Sequence, residues 1–155
     1  MLGQLSLTGI AALDVTSAFA GTRDPHALWV ALDDADVDNG CMSMVPGSHL
    51  WGNNIDFLHT LKNYDDMPSE FEGREIKVIR CPVKKGEVHY HHALTWHGSH
   101  ANTSGRPRRA VALHYMTGET RYVASGNHVM KAYVEVADGE ILQGKYFPKV
   151  YPTAE

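Results

Sequence analysis

Apolar and polar positions alternate over short runs that are separated by turn residues, and no stretch keeps a helical period for long. That pattern predicts short strands rather than long helices. Residues 26–32 are apolar and strand-prone. Residues 33–40 form a polar turn ending in Asn39-Gly40, a hairpin pair because both residues tolerate positive φ. Residues 41–45 predict a short strand, stopped by Pro46-Gly47. Residues 76–81, 87–92 and 108–117 read as further strands, the last with Ala110, Ala112 and His114 on one face. Residues 122–136 suit a short helix, and the tail from Ile141 offers Tyr146, Phe147 and Tyr151 as aromatic anchors.

Residues 50–75 break the pattern. They are polar and irregular, with Asn53-Asn54, Asp65-Asp66 and Pro68. A loop of that length in a compact domain is either a lid or binding loop, or a plain surface excursion. Short strands joined by tight turns, with one long insertion, predict an all-β jelly roll of the cupin-like, double-stranded β-helix type, whole or lacking its first strands. An immunoglobulin-like sandwich is the rival, but it gives no reason for a histidine-dense segment. The 155 residues suit one domain, 1–155, with residues 1–25 as an atypical N-terminal segment.

Composition narrows the partners. The chain is 43% hydrophobic and 21% charged, with a net charge of −4. The one basic cluster, Arg106-Pro107-Arg108-Arg109, is too short for a nucleic-acid footprint, and no apolar run reaches the length of a membrane span. Neither nucleic acid nor membrane is therefore an expected partner. Two cysteines, Cys41 and Cys81, are too few for a disulfide framework and point to a reduced, cytoplasmic protein. Residues 5–20 are mostly small and apolar and end in Ala18-Phe19-Ala20, but no Lys or Arg precedes them and Asp14 interrupts them. They read as a strand or short helix rather than a leader.

The unusual number is ten histidines. In a strand, His89 and His91 share a face. Such a pair can hold a metal or line a polar cavity, and no third ligand is evident from the spacing. Three stretches carry more information. The first is Trp29-Val30-Ala31-Leu32-Asp33-Asp34, then Asp38-Asn39-Gly40-Cys41. The second is Val45-Pro46-Gly47-Ser48-His49. The third runs from Gly86-Glu87 through Thr95-Trp96-His97-Gly98-Ser99 to Asn102, Arg106-Pro107-Arg108-Arg109-Ala110 and Leu113-His114-Tyr115. In this order, over about residues 26–116, they resemble the phytanoyl-CoA dioxygenase family of Fe(II)- and 2-oxoglutarate-dependent oxygenases.

The resemblance implies that His97 is the distal iron ligand. It also implies that Arg108, eleven residues later, grips the far carboxylate of 2-oxoglutarate. A guanidinium forks onto a carboxylate with two parallel hydrogen bonds, which a lysine cannot do. Ser99 and Trp29 fall at pocket-lining positions of the family; their ordinary readings are a turn residue and a core residue. His49 reads as a structural hydrogen-bonding histidine, and Asn39-Gly40 as a turn and nothing more.

One part of the family pattern is missing. The family takes its second histidine and its carboxylate from a His-x-Asp motif upstream of Trp29, and none of the ten histidines here begins a His-x-Asp or His-x-Glu. Where the motif would fall the chain reads Ile10-Ala11-Ala12-Leu13-Asp14-Val15-Thr16, which leaves Asp14 as a speculative carboxylate ligand with Ala12 in place of the histidine. The expected function is an oxygenase that couples oxidative decarboxylation of 2-oxoglutarate to hydroxylation of a small-molecule substrate, or a truncated or degenerate relative of one. A short relative could recruit His26, His89, His91 or a partner subunit's ligand. The alternatives are a non-catalytic jelly-roll binding protein, and a metal-dependent cupin enzyme using His89, His91 and His97 without 2-oxoglutarate. A shortened jelly roll exposes sheet edges, so a homo-oligomer is expected, with residues 5–15 as a candidate for exchange between chains. Gel filtration over a wide concentration range should show a dimer or larger species; a clean monomer throughout would refute this.

Overall fold

The computed structural model describes residues 9–10, 19–20, 25–61, 66–126 and 128–151. Its strands are β1 (Gly9–Ile10), β2 (Phe19–Ala20), β3 (His26–Ala31), β4 (Met42–Met44), β5 (Glu70–Phe71), β6 (Arg74–Glu75), β7 (Ile79–Cys81), β8 (Val88–His92), β9 (His97–Ser99), β10 (Ala110–Tyr115) and β11 (Arg121–Tyr122). Helical structure is confined to α1 (Ile55–Thr60) and to short 3-10 turns at Ser48–Trp51 and Val129–Tyr133. The described chain is therefore mostly β-sheet.

The chain divides into two compact units, one built chiefly from Ala27–Leu113 and the other chiefly from His114 onward. In the first, one sheet has the order β1-β9-β4-β7 and another the order β10-β3-β8. Strand β3 forms within the strand expected over residues 26–32, and its burial alternates: Ala27, Trp29 and Ala31 are buried, and Leu28 and Val30 are half-buried. Its inner face packs into a small core of Trp29, Ala31, Ala35, Cys41 and Met42, flanked by Met44, Val83 and Ala110. In the other sheet β4 lies antiparallel between β7 and β9, with Met42 opposite Cys81 on one side and Ser99 on the other. Of the 5–15 segment, only Gly9–Ile10 is described, and it pairs with β9 within the chain.

The described residues of the 50–75 segment, 50–61 and 66–75, do not form an irregular excursion. Ile55 and Leu58 of α1 join Val45, Ile76 and Trp96 in a second core, which Trp51, Phe57, Leu61, Met67 and Phe71 surround. The indole of Trp96 meets the rings of Trp51, Phe57 and Phe71 at 5.1, 5.4 and 5.1 Å, two of them edge-on. Strands β5 and β6 form a tight hairpin whose two turn residues, Glu72 and Gly73, both have positive φ. The Pro46-Gly47-Ser48 turn docks this segment to Trp96. Ser48 is fully buried, its hydroxyl donates to the Val45 carbonyl at 2.7 Å, and it accepts the Trp96 N–H at 2.8 Å.

Three other expectations change. The strand predicted over residues 76–81 is shortened to Ile79–Cys81, because Ile76 turns into the second core and its N–H bonds the Ser69 carbonyl. In the second unit, the helix predicted over 122–136 is replaced by β11, a turn closed by Gly126 N–H to Val123, and a five-residue 3-10 turn capped by His128 Nδ1. Of the tail aromatics, Tyr146 stacks against Tyr133 at 5.0 Å, whereas Tyr151 is 86% exposed and anchors nothing.

Leu58 is 1% exposed at the centre of the second core. Leu58→Ala should cost about 2–5 kcal/mol, measured by denaturant unfolding. A loss well below 1 kcal/mol would mean that residues 50–75 are a surface excursion after all.

Candidate cosubstrate and metal site

Strand β9 places His97 and Ser99 on one face, with buried Gly98 between them. Ser99 is thus a half-buried strand residue, opposite Met42, and not part of a turn. The His97 ring is oriented by its Nδ1, which lies 2.7 Å from the Thr95 carbonyl. A carbonyl only accepts, so Nδ1 carries a proton, and in the neutral ring Nε2 carries the lone pair. This is the tautomer and second-sphere bond typical of a metal-binding imidazole. The buried ring of His91, from β8, stands 4.7 Å from that of His97.

His89 shares the His91 face of β8 but does not join the pair. Its Nε2 donates to the Cys81 carbonyl at 2.8 Å, and its ring packs at 5.9 Å on Trp29. Among the described residues no three His, Cys, Asp or Glu side chains come together as a metal site, so the His89–His91–His97 arrangement is not assembled there. Asp14 lies outside the described residues. His26 is the first residue of β3. His49 stacks on His92 at 5.3 Å.

Arg108 is half-buried, with its guanidinium 5.7 Å above the Trp29 ring. Desolvation by the surrounding protein lowers its pKa, and a charge-favouring influence from the Cys41 side only partly offsets this. No ion pair among the described residues uses it. Its neighbours behave differently. Arg109 forks onto Asp33 through Nε and Nη2 with bonds of 2.9 and 2.8 Å, and Arg106 reaches both Asp36 oxygens from its single Nη2 with bonds of 2.7 and 2.9 Å. The bonds from Arg109 hold the Asp33 carboxyl well below the usual carboxylate range, and those from Arg106 lower that of Asp36.

Trp29, 8% exposed, is at once a core residue and the floor beneath Arg108. Asn39 is more than a turn residue. It is fully buried, donates to the Asp34 carbonyl at 2.6 Å and to the Pro107 carbonyl at 3.4 Å, and accepts the Asp36 N–H at 2.7 Å. Asn39, Ser48 and the carboxylates of Asp33 and Asp36 support the site, and sequence reasoning missed all four. The only local signal was the unusual density of Asp and Asn between Asp33 and Asn39.

Comparison with solved structures places this geometry in a class. The non-heme alpha ketoglutarate dependent carbocyclase SnoK from nogalamycin biosynthesis superposes with a TM-score of 0.66 at 29% identity, covering 84% of this chain and 50% of that one. The epimerase SnoN in complex with Fe3+, alpha ketoglutarate and nogalamycin RO gives 0.63 at 29% identity, covering 84% and 52%. The fold is accordingly the cupin-like double-stranded β-helix of the iron- and 2-oxoglutarate-dependent enzymes. The family model "Phytanoyl-CoA dioxygenase (PhyH)" matches residues 14–110, and the chain belongs to that family. A zebrafish (Danio rerio) phytanoyl-CoA dioxygenase domain-containing protein 1 is 37% identical over 97 residues, or 59% of this chain and 33% of that protein. The peroxisomal phytanoyl-CoA dioxygenase of Rattus norvegicus is 25% identical over 126 residues, or 71% and 35%. The chain spans about a third of the length of these curated relatives.

The described residues fit the two groups of such a site unequally. A half-buried guanidinium without a protein carboxylate suits the far end of 2-oxoglutarate. For iron they offer the imidazole of His97, with His91 beside it, and no carboxylate in a three-ligand group. The orientation of His97 can be checked without metal. Long-range 1H–15N spectra should show the neutral ring protonated at Nδ1, and a pattern of Nε2 protonation would contradict the Thr95 bond.

Proposed function

We propose that this chain is an Fe(II)/2-oxoglutarate-dependent oxygenase of the phytanoyl-CoA dioxygenase type, acting on a small molecule. The observation that carries the proposal is Arg108, a desolvated guanidinium fixed over Trp29 with no carboxylate of its own among the described residues. A cation left in that state gains from an incoming carboxylate what its neighbours already gain from Asp33 and Asp36. In this reading Arg108 binds and orients the distal carboxylate of 2-oxoglutarate, and Trp29 keeps water from that end. Ser99 lines the pocket, and His97 supplies Nε2 to the metal. Asp14 is the candidate carboxylate ligand. Bound iron and 2-oxoglutarate would supply the oxidising chemistry, and the protein's part is to place and shield them. The partners proposed with this reading are a small-molecule substrate and a second copy of the chain.

One observation favours a second reading, a binding protein that kept the scaffold without the chemistry. The chain contains no His-x-Asp, and the described residues assemble no three-ligand metal site. Anaerobic calorimetric titration of 2-oxoglutarate, with and without Fe(II) or Mn(II), separates the two. We expect saturable, metal-dependent binding that weakens roughly 100-fold or more in Arg108→Ala, the loss typical of removing one partner from a buried charge pair. It should also lose its metal dependence in His97→Ala. Absence of both metal and 2-oxoglutarate binding would leave the scaffold reading standing.

A further inference from the structure

The segment carrying Arg108 is held from both sides by the turn at residues 33–40. On one side the Arg109 backbone N–H donates to Asp33 at 2.8 Å, its guanidinium forks onto the same carboxylate, and its carbonyl accepts the Leu32 N–H at 2.9 Å. On the other side Arg106 Nη2 donates to both oxygens of Asp36, and Asn102 Nδ2 donates to the Arg106 carbonyl at 2.6 Å. Between them Asn39 reaches the Pro107 carbonyl, while its own side chain is locked by Asp34 and Asp36. The turn also seats closely on the neighbouring loop. Gly40 has φ +83°, and a Cβ there would lie 2.6 Å from the His100 carbonyl oxygen. Thr103 bonds the Asp38 carbonyl through both its N–H and its hydroxyl.

These contacts divide three nearby arginines into two that are committed and one that is not. Exposed ion pairs do little for stability on their own. Here their geometry matters more, because the two-pronged fork of Arg109 on Asp33 fixes direction as well as distance, and Arg106 adds a second tie to the same turn. We propose that Asp33, Asp36 and Asn39 are positioning residues for Arg108. They hold the chain at residues 106, 107 and 109 and occupy the two competing guanidiniums, so that Arg108 alone is presented to an anionic cosubstrate. This inference rests on the reading of Arg108 as the carboxylate anchor and extends it to the turn that aims it.

The test reads the order of Arg108 directly, in the full chain. In wild-type protein the Arg108 Nε–Hε heteronuclear NOE should match that of the ordered backbone. In Asp33→Asn and in Asp36→Asn it should fall to values typical of a mobile side chain, with the Trp96 indole resonance unmoved as evidence of an intact fold. The same variants should bind 2-oxoglutarate, titrated with Mn(II), about tenfold more weakly, as expected for a misplaced rather than absent anchor. Their affinity for Mn(II) alone should not change. Arg108 remaining as ordered as in wild type in both folded variants would overturn the positioning role. Should the Asn variants not fold, Arg109→Lys keeps the charge but loses the fork, and the same loss or retention of Arg108 order decides the matter. Failure of the anchor reading itself would look different: Arg108→Ala would leave 2-oxoglutarate binding intact, whatever the NOE values show.

Discussion

The antiparallel ladder between β4 and β9 is the constraint on which the first unit depends. Strand β9 has only three residues, too few to hold a direction by themselves, and two of them are His97 and Ser99. Pairing with β4 puts Met44 opposite His97 and Met42 opposite Ser99, and so fixes both side chains on one face. The ladder is in turn anchored at one end. Just beyond it the Val45 N–H bonds the Trp96 carbonyl, and the buried Ser48 hydroxyl accepts the Trp96 N–H. Trp96 is thereby committed to the second core, while Met42 and Met44 belong to the first. A small shift of β4 would move His97, disturb the packing of Trp96 and open the core around Trp29 together.

Electrostatics divides the labour among the arginines along the same lines. Arg106 and Arg109 lie toward the surface, and Asp36 and Asp33 engage them fully. Arg108 is more buried, its charge is destabilised chiefly by that burial, and no carboxylate among the described residues pairs with it. A folded protein has no general reason to bury an uncompensated guanidinium, because the cost must be met by packing elsewhere. The cost makes sense where a carboxylate arrives from outside, and the Trp29 ring beneath the guanidinium meets part of it meanwhile.

The sequence was most readable where a local pattern reports on packing. The shared face of His89 and His91 in β8 and the turn at Pro46-Gly47 could be seen directly, whereas the alternation expected at Ala110, Ala112 and His114 is not found, since β10 is exposed at every position after Ala110. Residues 50–75 were misread because α1 is only six residues long, too short to establish a helical period. The Glu72-Gly73 turn also begins with a residue that rarely adopts positive φ. The pairing of His97 with His91 is a contact between strands, and that of Asp33 with Arg109 joins a turn to a loop across 76 residues of chain. No local period encodes such contacts. Arg108 stood out through its spacing from His97 in the family pattern, whereas the turn that holds it looked like an ordinary hairpin.

The two ends of the candidate site therefore differ in how they are built. The cosubstrate end is self-contained. Trp29, the turn at residues 33–40 and the segment at 106–109 all lie in one compact unit, and each hydrogen bond that aims Arg108 is made within it. The candidate metal end draws on β9, where His97 is already oriented by the Thr95 carbonyl, and no carboxylate among the described residues joins it in a three-ligand group. Anchor and metal ligand thus rest on different hydrogen bonds, the Asp33–Asp36–Asn39 set for one and the Thr95 carbonyl for the other. The shape of the anchor does not depend on the metal. A scaffold of this kind can keep the aim of its arginine while the metal ligands are altered independently.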